Sequence, residues 1–195
     1  LITNAGTEYY VSTTGDNENS GKSSANPMAD LSALIGAYDL DPGDTIHVEA
    51  GTYNVLRNIV LGTEDSGVSI VGPGVGTAIL DRGNQAAGSY VFELTGADAI
   101  TLDTLTIRGA YDGVYAGVNS DSDDLTVTNC VIHGNVDAGV YIRNTNDRAH
   151  LELNELYGSN YGIYAYGAID GMLIEGNTAR DNYYYGIFVQ SDTNT

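Results

Sequence analysis

Four short segments of this chain repeat one pattern, a glycine followed by a branched aliphatic residue and then an aromatic residue. They begin at Gly113, Gly139, Gly162 and Gly186, so the intervals are 26, 23 and 24 residues. A period in this range is typical of stacked repeats, in which each unit covers the apolar face of its neighbour. This periodicity limits the possible folds more strongly than any other feature of the sequence.

Each repeat unit contains the signature of short strands. Ala99–Gly109 aligns without a gap with Asp124–Gly134, and apolar residues alternate with polar ones in both segments. Alternation of this kind is the periodicity of a strand, not of a helix. Because two or three short strands cannot bury their own apolar face, we predict an all-β parallel coil, or solenoid, of roughly six to eight turns.

A coil of this kind would place equivalent residues of successive turns about 4.8 Å apart, in ladders. The predicted ladders are Val114, Val140, Ile163 and Ile187 inside, and Tyr115, Tyr141, Tyr164 and Phe188 outside. The outer ladder either packs across strands for stability or forms a carbohydrate-binding surface through Tyr115, Tyr141 and Tyr164. The repeated glycine either needs a positive φ or lies where a side chain would clash with the next turn. Three asparagines that precede the pattern, Asn135, Asn160 and Asn182, are expected to hydrogen-bond along the stack.

The start of the chain does not follow the repeat. Residues 1–54 are predicted to form an amino-terminal cap and the first strands, and residues 55–195 the coils. Leu31 and Leu34 recur at helical spacing after Asp30, a helix-initiating residue. A helix here would cap the open end of the stack. No such helix is predicted at the carboxyl-terminal end, so we expect further coils or self-association to cover that end.

Several short motifs in the first half of the chain match a known superfamily. They are Tyr9-Tyr10-Val11-Ser12, Gly15-Asp16-Asn17, Asn26-Pro27, Pro42-Gly43-Asp44-Thr45-Ile46, Gly51-Thr52-Tyr53, Ser69–Gly72 and Ala78–Asp81. With the repeats, the chain resembles the secreted right-handed parallel β-helix proteins of the pectate-lyase-like superfamily. The resemblance implies a right-handed β-helix and an extracellular or cell-surface location. Because the shared residues are corners and core, it predicts the fold more strongly than the activity.

Charge excludes one large class of partners. The formal net charge is −19, and Lys22 is the only lysine. A field of this sign repels nucleic acids, so we predict no nucleic-acid partner. No apolar run approaches the roughly 18 residues of a membrane helix, so we predict no membrane insertion.

One loop is dense in carboxylates. Asp121, Asp123 and Asp124 lie in the segment Asn119–Asp124. Their hard oxygens suit Ca²⁺, although aspartate and serine are also common in solvated turns. Three aspartates at comparable places in later repeats, Asp147, Asp170 and Asp192, are expected to extend this acidic edge.

The lyases of the superfamily use a cation, often Ca²⁺, together with an arginine or lysine base beside the substrate carboxylate. The resemblance makes Arg143, Arg108 and His133 the candidate catalytic residues. Arg108, His133 and Arg180 also occupy equivalent places in their repeats, which predicts a basic line. Such a line either binds an anionic sugar or neutralises neighbouring carboxylates.

Two functions remain open from the sequence. The first is a non-catalytic extracellular structural or surface module that self-associates or contacts polysaccharide. The alternative is a calcium-dependent polysaccharide lyase or a related carbohydrate-active enzyme.

Overall fold

The described residues of the computed structural model, 6–74 and 76–191, wind into a right-handed parallel β-solenoid of six turns. Each turn contributes one strand to each of three parallel sheets, here called sheets I, II and III, and the strand Glu8–Val11, which precedes the first turn, adds a seventh strand to sheet I. The predicted fold class is therefore confirmed.

The strands of each sheet follow one another turn by turn. Sheet I contains β1 (Glu8–Val11), β2 (Thr45–Val48), β5 (Ser69–Val71), β8 (Thr101–Asp103), β11 (Thr126–Thr128), β14 (His150–Glu152) and β17 (Leu173–Glu175). Sheet II contains β3 (Gly51–Asn54), β6 (Ala78–Asp81), β9 (Leu105–Arg108), β12 (Val131–His133), β15 (Glu155–Tyr157) and β18 (Thr178–Arg180). Sheet III contains β4 (Ile59–Gly62), β7 (Tyr90–Thr95), β10 (Asp112–Ala116), β13 (Ala138–Arg143), β16 (Tyr161–Tyr166) and β19 (Tyr185–Gln190).

The interior ladder has the predicted register. Val114 pairs with Val140, Val140 with Ile163, and Ile163 with Ile187. The first three side chains are fully buried, whereas Ile187, in the last described turn, is 42% exposed. Burial of each such side chain contributes about 1.5–3 kcal/mol, so the shared interior is the main source of stability.

The repeated glycines are explained by crowding between turns. Gly113, Gly139 and Gly162 are absent from the residues with positive φ. A Cβ on Gly139 would lie 2.6 Å from the carbonyl oxygen of Gly162, and Gly113 and Gly162 face equivalent contacts of 2.5 and 2.4 Å. The second of the two explanations offered from the sequence is therefore the correct one.

Polar side chains bridge the turns at the corner before sheet III. The Oδ1 of Asn135 accepts a hydrogen bond from the backbone N–H of Ala110 at 3.1 Å, and Asn182 accepts one from Ser159. In the turn between these two asparagines, the equivalent corner position is Ser159. The backbone N–H of Asn160 pairs with the carbonyl of Val136, which is one residue after Asn135, so Asn160 lies one residue past the corner. The expected hydrogen bonding along the stack is therefore confirmed for Asn135 and Asn182 and wrong for Asn160, and the hydroxyl of Ser159 at the equivalent position has no partner among the described residues.

The amino-terminal helix is present as predicted. Helix α1 (Leu31–Ala37) begins after Asp30, whose carboxylate accepts a hydrogen bond from the N–H of Ala33 at 2.9 Å. Leu31 and Leu34 are buried, and the helix packs against β4. Strands β2 and β3, which precede residue 55, already belong to the first turn with β4. Among the described residues no helix has the length and hydropathy to span a bilayer.

Candidate functional site

A continuous stack of aromatic rings runs along the outside of sheet III. We call it the tyrosine ladder, and its members are Tyr90, Tyr115, Tyr141, Tyr164 and Phe188. Successive ring centroids are 3.9, 5.1, 5.1 and 5.2 Å apart, and the interplanar angles lie between 2° and 16°. All five side chains are partly exposed. The predicted outer ladder is thus present, and Tyr90 extends it by one turn.

Parallel pairing in register is the reason that four of these rings stack, whereas Tyr90 reaches Tyr115 from a neighbouring position, because Glu93 is the residue that pairs with Tyr115 and Tyr90 itself pairs with Asp112. Tyr115 pairs with Tyr141, Tyr141 with Tyr164, and Tyr164 with Phe188. The backbone spacing of about 4.8 Å places each ring against the next. Because the ring faces cover one another, the ladder presents ring edges and a row of phenolic hydroxyls to solvent. A hydroxyl both donates and accepts hydrogen bonds.

An arginine lies beside this row. The Nη1 of Arg143 donates a hydrogen bond to the hydroxyl of Tyr141 at 3.0 Å, and the guanidinium lies 4.6 Å from the ring centroid of Tyr166. The Nε of Arg143 is shielded from solvent and has no partner among the described residues. Burial lowers the pKa of Arg143, but the hydrogen bond to Tyr141 and the neighbouring tyrosines together raise it by more, so the side chain is a permanent cation and not a proton acceptor.

Two clefts continue the outer surface of sheet III towards the amino terminus. A cleft of about 320 Å³ is lined by Glu93, Thr95 and Tyr115 at the start of the tyrosine ladder. A larger cleft of about 710 Å³ lies between α1 and β4, and Thr95 lines this cleft as well. An extended molecule that followed the tyrosine ladder would therefore pass into these clefts.

A buried carboxyl group lies behind the same sheet. Asp112 is only 2% exposed and accepts a hydrogen bond from the N–H of Ala138 at 2.9 Å. Burial raises the pKa of Asp112 to about 7, and the nearby charge of Asp137 adds to this increase. Asp112 therefore changes its charge near neutral pH, inside the sheet that carries the tyrosine ladder.

The predicted catalytic residues lie on two different sheets. Arg108 and His133 pair in register on sheet II, whereas Arg143 lies on sheet III. Arg108 is bound to Asp81, with both its Nε and its Nη2 at 2.9 Å from the carboxylate. The ring of His133 stacks on Tyr157 at 4.8 Å. The structure thus brings together two of the three residues and leaves the third on another face.

The predicted basic line is also part of sheet II. Its column runs Asp81, Arg108, His133, Tyr157 and Arg180. Arg180 pairs with Glu155 at 2.6 Å, as Arg108 pairs with Asp81. Of the two roles offered from the sequence, these contacts are those of cations that neutralise neighbouring carboxylates.

The three candidate calcium ligands lie in the turn between β10 and β11. Arg148 contacts two of them, Asp123 at 3.0 Å and Asp124 at 2.7 Å, whereas Asp121 is exposed. The hydrogen bond from Arg148 lowers the pKa of Asp124, so this carboxylate stays ionised. Binding of Ca²⁺ by Asp121, Asp123 and Asp124 stays a prediction.

The acidic edge is a ladder of carboxylate-to-backbone hydrogen bonds. Asp98 accepts from the N–H of Asp123, Asp123 from Asp147, and Asp147 from Asp170, at 2.7–2.8 Å. Asp192, also assigned to this edge from the sequence, lies outside the described residues. This ladder gives Asp123 and Asp147 a structural role at the corner between sheets III and I.

Sequence reasoning missed one cluster of possible metal ligands. His150 and Glu152 on β14 lie beside Glu175 on β17, and their ligand atoms all lie within 4.8 Å of one another. Two signals in the sequence point to this cluster. His150 and Glu152 alternate along one strand, so they share a face, and Glu175 follows Glu152 by one coil period.

Large apolar side chains are exposed in the last described turn. They are Leu173, Tyr183, Tyr184, Tyr185, Ile187 and Val189, with exposed fractions between 42% and 78%. Residues 192–195, where the uncovered end was predicted, lie outside the described residues, so coverage by further coils or by self-association stays a prediction.

Comparison with solved structures shows the same fold in carbohydrate-active proteins. Pectate lyase Pel9A matches with a TM-score of 0.75 and 22% identity over 94% of this chain and 50% of that chain. The GH136 lacto-N-biosidase from Eubacterium ramulus matches with a TM-score of 0.60 and 19% identity over 87% and 40% of the two chains. A rhamnogalacturonan lyase matches with a TM-score of 0.50 and 14% identity over 95% and 62%. The chain thus spans between two fifths and about three fifths of these proteins, and at such identities the similarity shows the fold alone.

Comparison of the sequence with curated proteins gives no match. Comparison with family models agrees with the structural result. The family model described as the right-handed beta helix region matches residues 90–195, which is more than half of the sequence. This chain belongs to the right-handed β-helix family.

Proposed function

We propose that this protein is a non-catalytic polysaccharide-binding β-helix module that holds an uncharged glycan along the outside of sheet III. The observation that carries the proposal is the tyrosine ladder, an unbroken row of five partly exposed rings. Its hydroxyls repeat at the spacing of the coils and offer donors and acceptors to a chain of sugar hydroxyls. The two clefts at its amino-terminal end extend the same surface.

Charge favours an uncharged glycan over a polyuronate. The net charge of −19 repels polyanions, and the outer surface of the tyrosine ladder does not compensate for it. Arg143 lies beside the ladder and Arg57 lines the larger cleft, but carboxylates accompany them: Glu93 at the first cleft, and Asp39 and Glu64 at the larger one. Arg108 and Arg180, the stacked arginines of sheet II, already pair with carboxylates.

Affinity gel electrophoresis tests this proposal with neutral galactan and xylan beside pectate and alginate. We expect at least one neutral polysaccharide to retard the protein and both polyuronates to leave its mobility unchanged. Tyr164→Phe keeps the aromatic stack, because Phe188 shows that a phenyl ring fits this column, but it removes one hydroxyl. The loss of one hydrogen bond is expected to weaken binding about two- to tenfold.

Tyr157→Phe is the matched control for this variant. Tyr157 is also a partly exposed tyrosine in an aromatic and cationic stack, but it lies on sheet II, against His133 and Arg180. We expect unchanged retardation for Tyr157→Phe. If Tyr164→Phe is retarded as strongly as Tyr157→Phe and the wild type, or if none of the four polysaccharides retards the wild type, the proposal is wrong and the tyrosine ladder only stabilises the fold.

The lyase alternative is tested by its chemistry. A calcium-dependent lyase needs a free cation site and a base close to it, whereas Arg148 contacts Asp123 and Asp124, and the candidate bases lie on two sheets. We expect no unsaturated uronate, measured by ultraviolet absorbance, from pectate or alginate with Ca²⁺. Product that disappears with a chelator, and in Arg143→Gln, would replace the binding proposal with the lyase.

We further propose that the module acts outside the cell or at the cell surface and associates through the apolar side chains of the last described turn. The exposed side chains of Tyr183 and Tyr184 support the association, because exposed apolar surface commonly marks a contact with another protein. Analytical ultracentrifugation should show association that increases with concentration and decreases in Tyr183→Ser/Tyr184→Ser. Association equal to wild type in that double variant would exclude this surface.

A further inference from the structure

We infer that His150, Glu152 and Glu175 form a binding site for a divalent transition-metal ion of the Zn²⁺ class on the outside of sheet I. The site is separate from the tyrosine ladder, which lies on sheet III, and from the aspartates proposed from the sequence as calcium ligands. The inference does not depend on the proposed glycan binding.

Backbone register directs the three side chains to one place. His150 and Glu152 are two residues apart on β14, so they project from the same face of sheet I. Glu152 pairs directly with Glu175 on β17. Two turns of the solenoid thus contribute to one site, with the three side chains between 34% and 53% exposed.

The distances between the donor atoms suit coordination better than hydrogen bonding. The Nε2 of His150 lies 3.5 Å from a carboxylate oxygen of Glu152 and 3.4 Å from one of Glu175. Good hydrogen bonds between nitrogen and oxygen are shorter, at about 2.7–3.2 Å. Metal–ligand bonds of about 2.0–2.2 Å in tetrahedral geometry separate neighbouring donors by about 3.4 Å.

A second observation points to a ligand at this place. The Nε2 of His150 is shielded from solvent and has no hydrogen-bond partner among the described residues. A shielded polar atom without a partner costs free energy, and native structures rarely leave one in that condition. A metal ion bound to Nε2 and the two carboxylates would satisfy this nitrogen.

The charges favour a cation. Glu152 and Glu175 lie directly opposite each other on adjacent strands, where like charges are destabilising. Among the described residues neither forms an ion pair with arginine or lysine, in contrast to Glu155 on sheet II, which pairs with Arg180. One imidazole and two carboxylates are ligands typical of Zn²⁺, whereas Ca²⁺ prefers six to eight oxygen ligands.

Isothermal titration of the tag-free protein with ZnCl₂, after treatment with a chelator and dialysis, tests the inference. We expect one site per chain, unaffected by Ca²⁺ in large excess, and affinity at least about tenfold lower in Glu175→Gln and His150→Gln. Cobalt titration adds a spectroscopic readout, because Co²⁺ bound by nitrogen and carboxylates shows visible d–d bands whose intensity reports the coordination number.

Glu8→Gln is the matched control. Glu8 contacts His47 on the same sheet, and this pair has no third ligand beside it among the described residues. We expect Glu8→Gln to bind Zn²⁺ as the wild type does. Absence of a stoichiometric site in the wild type, equal affinity in Glu175→Gln, or displacement by Ca²⁺ would each overturn the inference.

Discussion

Sheets II and III share the same six turns and the same interior, but their outer faces differ in chemistry. The outer column of sheet II that runs from Asp81 to Arg180 carries two arginines, each paired with a carboxylate: Arg108 with Asp81 and Arg180 with Glu155. The corresponding column of sheet III carries uncharged rings from Tyr115 to Phe188. In a solenoid, the inward residues set the register, and each outer column can then carry a separate chemistry. Within the described part of the chain, sheet III combines a repeated uncharged surface with adjacent clefts, which makes it the better candidate for glycan binding.

The largest structural effect is expected from a change that disturbs the close packing of successive turns, on which both outer faces depend. Gly139→Ala places a Cβ 2.6 Å from the backbone oxygen of Gly162, so the turns must separate. We expect the free energy of unfolding to fall by about 3 kcal/mol, the upper end of the usual range for overpacking, as measured by urea denaturation. Aromatic near-ultraviolet circular dichroism should fall with it, because the tyrosine ladder depends on this register.

Gly36→Ala is the control for that change. Gly36 lies in α1, and a Cβ there would meet nothing within 4 Å. Alanine is the better helix former, so stability should stay equal or increase by up to about 1 kcal/mol. Equal stability of Gly139→Ala and the wild type would mean that the turns are not packed as described.

The second prediction concerns a pH dependence of stability that arises from Asp112 on sheet III. Its pKa is raised from 3.8 in the reference state to about 7 in the folded protein, so the folded state binds the proton more tightly. This contribution to stability is complete below about pH 4 and is lost as the pH rises to about 7. Asp112→Asn keeps an acceptor for the N–H of Ala138 and removes the charge.

We therefore expect Asp112→Asn to be more stable than the wild type by about 2–4 kcal/mol at pH 8, with the advantage disappearing near pH 4. Urea denaturation at several pH values measures the difference, in which the titration of other groups cancels. An advantage that is constant with pH would show that Asp112 does not titrate in this range.

The smallest expected effect tests the charged face. Arg108→Gln breaks the ion pair with Asp81, whose side chains are 37% and 27% exposed. Because water screens partly exposed pairs, we expect a loss of only about 0.5–1 kcal/mol, which becomes smaller at 1 M NaCl. Arg57→Gln, at an exposed position, is the control and should be neutral. Glycan binding should be unchanged in Arg108→Gln, and weaker binding would mean that the glycan reaches sheet II.

Residues whose role depends on periodicity were predictable from the sequence. The pairings from Val114 to Ile187 and from Tyr115 to Phe188 follow from the repeat alone, because parallel coils keep equivalent residues together. The prediction was wrong at Asn160, because one coil is shorter there and Ser159 takes the equivalent corner. Corner residues have no alternating pattern to mark their register.

Contacts between side chains of different coils were not predictable in the same way. Nothing local to Asp123 and Asp124 indicates that Arg148, one coil later, contacts both. Likewise, the proximity of His150 to Glu175 requires both the register of β14 with β17 and the rotamers of two long side chains. The candidate calcium site and the inferred transition-metal site therefore differ in how much of their geometry is local.

The sequence by itself determined the winding of the chain, the interior ladder and the aromatic column, because a repeated apolar pattern leaves only one way to bury every turn. The tertiary structure alone decided which charged groups meet, since carboxylates, arginines and histidines reach across turns on flexible side chains that no periodicity specifies. The tertiary structure also shows why Gly139 cannot carry a side chain: a carbonyl oxygen of the next turn occupies the space that a Cβ would need. Short-range patterns thus define the scaffold, and contacts between turns define the sites upon it.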